Sequence, residues 1–371
     1  MISGFATLKQ TERMELPRRK SSKQFSGART AAAAALVIFA VIILLGDFIA
    51  PYDYTGQSRQ SVSAPPSVIR FRDGSGGFGF RPFIYKQKVA DPLMHTYEEL
   101  TEEKHSLEFF IRGDPYLMLG FIPADIHLFG VAGPGVDVPR VHVLGTDQLG
   151  RDRLSRLLIA IRFSLLVCPI GAVLASFIGI LIGLLSGYAG RFADTVMMGA
   201  ADTMLALPTL VLILAARAAF PLELPPMRAA VLLIFIFALT GWAGMARLTR
   251  GVVRSLKGRE FILAARSLGL SEVRVLFRHI LPNASPVLVT QFLVMLPDFL
   301  LSEVALSYLG IGLQEPQPSL GNMLAAAGDI TQLARQPFLL LSPAIAIFIF
   351  VLAIRSISRP GRPAHSLLAE K

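Results

Sequence analysis

The sequence predicts an all-α integral membrane protein with six transmembrane helices and a sizeable extracytoplasmic insertion between spans one and two. Hydrophobic residues make up 53% of the 371 residues and charged residues 17%, whereas about 25% charged is usual in soluble domains. Long apolar stretches alternate with charged joints. Because lipid offers no hydrogen bonds to a bare backbone, such stretches must be helices or strands of a closed barrel, and their continuous apolar character favours helices.

The first predicted span, residues 31–50, follows a basic segment, residues 1–30. A cleaved signal peptide is the alternative, but its apolar core is usually about 7–15 residues long, and no A-x-A site follows this longer run. About 20 residues of helix cross a hydrocarbon core of about 30 Å, so we expect a retained helix. The other five spans are expected within residues 161–357, at 163–190, 194–216, 229–246, 285–305 and 336–354.

The distribution of lysine and arginine predicts the orientation. Residues 1–30 carry seven, residues 247–278 carry eight, and four more run from Arg355 through the tail, residues 358–371. Six spans bring these segments to one face, which the positive-inside rule places in the cytoplasm. Residues 51–150 fall on the opposite face, with nine basic and twelve acidic residues. Four arginines beside span two conflict with this topology unless nearby aspartates pair with them. The arginines are Arg151, Arg153, Arg156 and Arg162, and the aspartates are Asp147 and Asp152.

The extracytoplasmic segment, residues 51–160, is rich in proline and glycine and is expected to be a small domain or an elaborate loop. Only residues 97–110 have a helical pattern, with charges on one face and Leu100, Leu107 and Phe110 among the apolar positions. An extracytoplasmic enzyme on a membrane anchor is one alternative function, but the segment offers no credible nucleophile–base pair or ligand set.

Several motifs argue against a catalytic or cofactor site in this chain. Gly74, Gly76 and Gly79 spell G-x-G-x-x-G, but the pattern lacks the preceding strand and following helix that dinucleotide binding needs, so a flexible turn is expected. The Walker pattern G-x-x-x-x-G-K-[ST] is missing from the sequence, which predicts that the chain does not hydrolyse ATP by itself. Six histidines without close spacing and a single cysteine, Cys168, predict no metal site.

Span two carries small residues at every fourth position, which predicts a stripe that lets the backbone of another helix approach closely. The stripe consists of Gly171, Ala175, Gly179, Gly183 and Gly187.

Carboxylates interrupt spans three and five. An ionised carboxylate in a bilayer is costly and usually faces protein or water. Asp202 and Glu303 are therefore expected in a translocation path or in helix pairing, or else simply solvated near a membrane boundary, and Asp298 in span five has the same alternatives. A proton-coupled secondary transporter using both residues is an alternative function, but it predicts inverted internal repeats, which the sequence does not show.

The joint between spans four and five carries the strongest local signal. Ala264 and Ala265 lie at helical spacing, and Gly269 is expected to end their helix. Ser271 can cap a second helix that ends before Pro282. A short helix with a small-residue face suits docking into a groove on another protein. The alternative is an amphipathic linker lying on anionic lipid.

At these positions the sequence resembles a known family. A-A-x-x-x-G at residues 264–269, followed by H-I-L-P at 279–282, resembles the coupling motif of bacterial ABC-importer permeases. G-T-D-x-x-G-R-D at residues 145–152 resembles the signature before span two in the dipeptide/oligopeptide/nickel permeases, and Glu303 with the following L-S-Y-L-G-I-G extends the resemblance to their second, C-type subunit. The signature residues are Gly145, Thr146, Asp147, Gly150, Arg151 and Asp152.

The resemblance implies a permease subunit that forms half of a translocation path for di- or oligopeptides or related small solutes. It implies coupling to a cytoplasmic ATPase through residues 258–283 of the loop 251–283. Implied partners are a second permease subunit, two ATPase subunits that bind ATP and magnesium, and an extracytoplasmic solute-binding protein. The implied location is the bacterial inner membrane with both termini cytoplasmic. The implied coupling residues are Leu263, Ala264, Ala265, Gly269 and Pro282, and Asp202, Pro208 and Glu303 are assigned to the path or to helix pairing.

The sequence also departs from that family. Leu263 stands where an acidic residue is common, and Gly199 stands where an arginine is common in span three. The tail lacks the usual acidic ending with D-P-R, and residues 60–140 form a longer segment than in most members. These departures concern the coupling detail and the substrate.

Overall fold

The computed structural model describes residues 22–72, 78–91, 96–131, 138–188, 190–328, 333 and 336–358. Within these residues, long helices form a bundle and a four-stranded antiparallel sheet is inserted between the first two helices. The predicted glycine turn at Gly74 and Gly76, most of the basic N-terminal segment and the tail after residue 358 lie outside the described residues.

The helices of the described residues match the predicted membrane class. Five helices are long and apolar enough to cross a membrane, and one bent pair supplies a sixth candidate. In chain order the helices are α1 Ser22–Ile49, α2 Arg153–Tyr188, α3 Arg191–Ala206, α4 Thr209–Ala218, α5 Pro226–Lys257, α6 Glu260–Ser267, α7 Glu272–Val275, α8 Leu281–Tyr308, α9 Leu320–Ala325 and α10 Phe338–Ser358. The helical membrane fold with an insertion after the first span is therefore confirmed.

Span three is not one straight helix. α3 and α4 meet at an angle of 89°, and the break lies at Leu207 and Pro208. Proline lacks a backbone N–H, and its ring disfavours helical geometry in the residue before it. Leu207 accordingly has extended backbone angles, φ −93° and ψ 140°. Pro208 therefore accounts for the bend in the predicted span 194–216.

The insertion is a sheet, and the prediction of a helix at residues 97–110 is wrong. The strands β1 Arg70–Arg72, β2 Phe78–Asp91, β3 Thr96–Met118 and β4 Ile122–Val131 lie in sequence order. β3 pairs with both neighbours, with Phe83 opposite Ser106 and Phe109 opposite Phe129. Helix propensity is only tenths of a kcal/mol per residue, so pairing on two edges and burial of Leu107 outweigh the Glu- and Leu-rich local pattern.

The main hydrophobic core lies where α2, α5, α8 and α10 meet. Its centre includes the stacked rings of Phe237 and Phe299, whose centroids are 4.7 Å apart. A second, smaller cluster lies where α6 and α7 pack on the ends of α2 and α5. The helix bundle and the segment of α6 and α7 are therefore packed around two separate hydrophobic clusters.

Candidate functional site

α2 and α5 pack with their backbones in direct contact. A Cβ atom added at Gly183 would lie 2.5 Å from the carbonyl oxygen of Ala246, and one at Gly179 would lie 2.5 Å from that of Trp242. Because the obstacle is backbone in both cases, no rotamer change can make room. The remaining members of the predicted stripe, which lie against the same helix, are Gly171, Ala175 and Gly187.

The G-T-D-x-x-G-R-D motif folds into a tight loop centred on Asp147. The Asp147 carboxylate accepts a hydrogen bond from the backbone N–H of Arg151 at 2.9 Å and another from Arg151 Nε at 2.7 Å. Gly145 and Gly150 have φ of +73° and +71°, which glycine adopts without steric cost. A Cβ at Gly145 would also lie 2.5 Å from the carbonyl oxygen of Ala64. The glycines are therefore required by the shape of the loop.

The other polar residues of the motif fasten the loop to α2. Thr146 is buried, and its hydroxyl accepts a hydrogen bond from the Ala64 N–H at 2.7 Å. Asp152 occupies the N-cap position of α2, where its carboxylate accepts hydrogen bonds from the N–H and the hydroxyl of Ser155, both at 2.8 Å. The other carboxylate oxygen lies 2.9 Å from His142 Nδ1. The motif thus fixes the start of span two.

Glu315, in the segment between α8 and α9, completes this network. Its two carboxylate oxygens accept hydrogen bonds from Arg151 and Arg156, both at 2.7 Å. Burial alone lowers the pKa of Arg151, but Asp147 and Glu315 outweigh it and raise that pKa above its usual range. Sequence reasoning missed Glu315 because it lies 159 residues from Arg156 along the chain. These ion pairs join the end of α8 to the start of α2.

The arginines that counted against the predicted topology have carboxylate partners, of which Asp147 was expected, whereas Asp152 contacts His142 and Ser155. Arg151 and Arg156 are paired as described above, and Arg162 forms an ion pair with Asp47 of α1. Arg153 is buried at the first position of α2. Arg151, Arg153 and Arg156 are therefore buried at this end of α2, and Arg151, Arg156 and Arg162 each form an ion pair with a carboxylate.

Glu303 lies inside the bundle with its side chain shielded from solvent and from lipid. It is 0% exposed, and its carboxylate accepts hydrogen bonds from the hydroxyls of Ser164 on α2 and Ser307 on α8, both at 2.8 Å. The hydroxyl of Ser319, at the N-cap of α9, is a third partner. Of the roles that the sequence left open, this geometry supports helix pairing between α2, α8 and α9.

The two aspartates of α3 differ in their surroundings. Asp202 forms an ion pair with Arg247 of α5, and both side chains are more than half exposed. Asp194 accepts two hydrogen bonds from Arg250 of α5, at 2.5 and 2.7 Å, and one from Ser186 of α2 at 2.5 Å. Asp194, to which sequence reasoning gave no role of its own, is thus the aspartate that ties three helices together.

The joint between α5 and α8 contains a helix, a left-handed turn and a second helix. α6 ends at Ser267, and Gly269 has φ +78°. The N–H of Gly269 donates to the carbonyl of Arg266 at 2.9 Å, and that of Leu270 donates to the carbonyl of Ala265 at 3.3 Å. This is the Schellman pattern, in which glycine at the left-handed position ends a helix. Since open space surrounds a Cβ at Gly269, its conformation, not crowding, explains the glycine.

The paired alanines differ in burial, which corrects the expectation that both form one docking surface. Ala265 is 5% exposed and packs in the cluster with Val275, Leu184 of α2 and Val253 of α5. Ala264 is exposed. Consecutive residues of a helix point about 100° apart, so one alanine faces the helix bundle and its neighbour faces away.

The second helix does not end before Pro282, so that prediction is wrong. A π-helical turn, Leu276–Ile280, follows α7 and leads directly into α8, so that one helix runs from Glu272 to Tyr308. Pro282 has no backbone N–H to donate, and the π turn just before it changes the spacing of the helical hydrogen bonds. The side chain of Asn283 also donates to the carbonyl of His279 at 2.6 Å. Ser271 stands at the N-cap position without a side-chain cap hydrogen bond.

Large apolar side chains are exposed along this joint. We call Leu263, Ala264, Leu268, Val273 and Phe277 the coupling surface. Leu268 is 80% exposed, and the exposed fractions of Val273 and Phe277 are 66% and 60%. Leu263, where an acidic residue was expected, is 50% exposed and adds to the apolar character.

Comparison with known proteins assigns the family. The model for binding-protein-dependent transport system inner membrane components matches residues 179–359. A putative peptide permease protein of Brucella suis is 34% identical over 255 residues, which cover 68% of this chain and 81% of that protein. The chain belongs to the ABC-importer permease family. This confirms the family resemblance read from the motifs, and it makes the protein a multi-pass inner membrane component.

Other relatives of this permease are also peptide permeases by name. Oligopeptide transport system permease protein OppC of Bacillus subtilis is 36% identical over 203 residues, covering 55% of this chain and 64% of that protein. Di/tripeptide transport system permease protein DppC of Pseudomonas aeruginosa is 37% identical over 212 residues, covering 57% and 67%. Among solved structures, an inward-facing form of the MetNI methionine ABC transporter covers 54% of this chain and 93% of its own at TM-score 0.41 and 17% identity, a likeness too low to bear on function.

Proposed function

We propose that this permease is one of two membrane subunits of an ATP-driven importer for di- or oligopeptides or related small solutes. Family membership and the peptide permeases among its relatives support the importer role and the substrate class. In this proposal the chain forms half of the translocation path. The same membership argues against the proton-coupled alternative, as do the surroundings of Glu303, which three hydroxyls enclose.

The proposed partners are a second permease subunit, two cytoplasmic ATPases and an extracytoplasmic solute-binding protein. ATP and magnesium belong to the ATPases in this proposal, since the chain carries no Walker motif. The N-terminus, the tail and residues 258–283 would face the cytoplasm, and the sheet would face outward. The basic residues of the inward segments support this orientation, and the ion pairs of Arg151, Arg156 and Arg162 remove the main objection to it.

The coupling surface is the proposed contact with the ATPase. The observation that carries this proposal is the division of the joint into a buried side and an exposed side. Val275 and Ala265 hold it against α2 and α5, while Leu268 and Phe277 remain exposed on the bundle. An apolar surface with a firm support behind it is suited to docking into a groove of another protein.

The continuous helix from Glu272 to Tyr308 suggests how a movement would be transmitted. A displacement of α7 would act on α8 directly, because the π turn at Leu276–Ile280 keeps the two in one helix. Glu303 on α8 is hydrogen-bonded to α2, so we propose that it makes these helices move as a body. Rigid-body movement of packed helices is an established mode of switching. Asp202, whose ion pair is exposed, is proposed to position α3 and not to bind the solute.

Substitution of Ala264 tests the docking proposal. In a host strain that lacks its own copy of this gene, we expect Ala264→Trp to reduce uptake of labelled di- and tripeptides by at least 10-fold. The tagged variant should also lose ATPase subunits during purification in mild detergent. Ala264→Ser, which adds one small hydroxyl at the same exposed site, is the matched control and should retain both properties. Wild-type uptake and ATPase retention in Ala264→Trp would favour the alternative in which the joint lies on lipid.

A further inference from the structure

The hairpin between β3 and β4 ends in an uncharged, apolar tip, residues 117–122. Its sequence is Leu-Met-Leu-Gly-Phe-Ile, and Leu117 and Phe121 are 57% and 71% exposed. Leu119 and Gly120 have φ of +55° and +84°. A left-handed conformation is uncommon for a large side chain such as leucine, and hairpin tips of this kind usually carry Asn or Gly. The tip therefore keeps apolar residues at a position where polar ones would fit the backbone better.

The base of this hairpin lies against the end of α1. The rings of Phe110 and Phe48 are 6.1 Å apart, and the Asp114 carboxylate accepts a hydrogen bond from the Asp53 N–H at 3.2 Å. Burial raises the pKa of the Tyr116 phenol, and the nearby carboxylate of Asp47 adds to the rise. The strands thus cross the chain at residues 47–53, where span one leaves the membrane.

The exposed side of α1 is apolar along its length. Val37, Ile38 and Leu44 are 62%, 59% and 53% exposed. In a membrane-spanning helix such side chains face lipid, because lipid tails are as apolar as they are. Phe109 and Phe110, on the part of β3 that meets α1, are 62% and 68% exposed. Apolar side chains are therefore exposed both on span one and on the strand that meets its end.

We propose that the tip of the β3–β4 hairpin inserts into the interfacial zone of the bilayer beside α1. Segments that lie in this zone bury their apolar side chains about 5–10 Å into the boundary between headgroups and acyl chains. The position of residues 117–122 favours lipid over a protein partner, since the strands that carry the tip meet the end of α1 at Phe48 and Asp53. The tip carries no charge, and Asp114 and Asp125 lie behind it on the strands. The sheet is then held at a fixed height above the membrane by α1 on one side and lipid on the other.

This proposal rests on the membership in a membrane-protein family and not on coupling to an ATPase. Insertion of the tip and docking of the ATPase can therefore fail separately. Its test uses the full chain in lipid nanodiscs, with Cys168 replaced by alanine and a bimane label on a single cysteine. The probe position is Phe121→Cys, and Ile122→Cys repeats the measurement independently. Glu102→Cys, at an exposed position on β3 away from the tip, is the control.

We expect phosphatidylcholine with a nitroxide near the headgroup to quench the label at residue 121 at least three-fold more than the label at residue 102. Aqueous iodide should show the opposite order. A label at residues 121 and 122 that iodide quenches and nitroxide lipid does not would overturn the proposal. Protection from both quenchers that appears only with the solute-binding protein or the second permease present would also overturn it, and would assign the tip to that protein.

Discussion

The two ends of α2 make different contacts: the first is held by a polar network, and the second meets the joint after α5 through apolar side chains and α3 through the hydrogen bond of Ser186 to Asp194. At its start, a network of ion pairs and hydrogen bonds joins Asp147, Arg151, Arg156 and Glu315. At its other end, Leu184 packs with small and apolar side chains of the joint after α5. Directional polar contacts fix geometry closely, whereas apolar contacts tolerate small shifts. The comparison indicates that the first end of α2 is the fixed reference and that the joint is the part able to move.

Removing the centre of the polar network should have the largest effect on stability. Asp147→Ala leaves the buried guanidinium groups of Arg151 and Arg156 to share the single carboxylate of Glu315, which should cost about 3–5 kcal/mol in the free energy of unfolding. Thermal unfolding of the purified chain in detergent measures it. Asp125→Ala is the control, because Asp125 lies 3.8 Å from Arg112 and both side chains are at least half exposed; its expected cost is about 0–1 kcal/mol. Equal effects of the two substitutions would contradict the fixed-end account.

The contact between α2 and α5 should be nearly as sensitive to substitution as the polar network. Gly183→Ala places a methyl group against the carbonyl of Ala246, and overpacking of this kind costs about 1–3 kcal/mol. Gly251→Ala on α5 meets open space and should stabilise the helix by up to about 1 kcal/mol. Melting temperatures that shift in opposite directions would support direct backbone contact. A harmless Gly183→Ala would mean that α2 and α5 can separate.

Much of this architecture could be predicted from the sequence, because long apolar runs have few structural solutions in a bilayer. The bend at Pro208 could have been inferred from the residue itself, and the small-residue stripe from its spacing. The strand β3 could not, since residues 97–110 favour a helix locally and only their two neighbouring strands decide otherwise. The role of Glu315 was equally hidden, because its partners lie more than 150 residues away.

The orientation of the two alanines shows a second limit of prediction from the sequence. Ala264 and Ala265 are chemically identical, and the motif treats them as a pair. Which of them is buried depends on where Leu184 and Val253 of other helices lie. A single sequence shows that two small residues are adjacent, but it does not show which one meets the bundle.

The smallest effect is expected from the exposed ion pair of α3. Asp202→Asn removes the charge that pairs with Arg247, and because both side chains are more than half exposed, the cost should be about 0–1 kcal/mol. Asp194→Asn disturbs bonds to two other helices and should lower the melting temperature more. Peptide uptake by the Asp202 variant checks its assigned role: near-normal uptake is expected, and complete loss would return Asp202 to the translocation path.

The central claim is that the exposed side of the joint contacts the ATPase while its buried side contacts the permease. Photo-crosslinking from single positions in the assembled importer tests it most directly. A photoreactive amino acid at Leu268, which is 80% exposed, should cross-link to an ATPase subunit. The same probe at Val275, which is 0% exposed, should react only within the chain. Cross-links from residue 268 to lipid alone, in a preparation that retains its ATPases, would contradict the account.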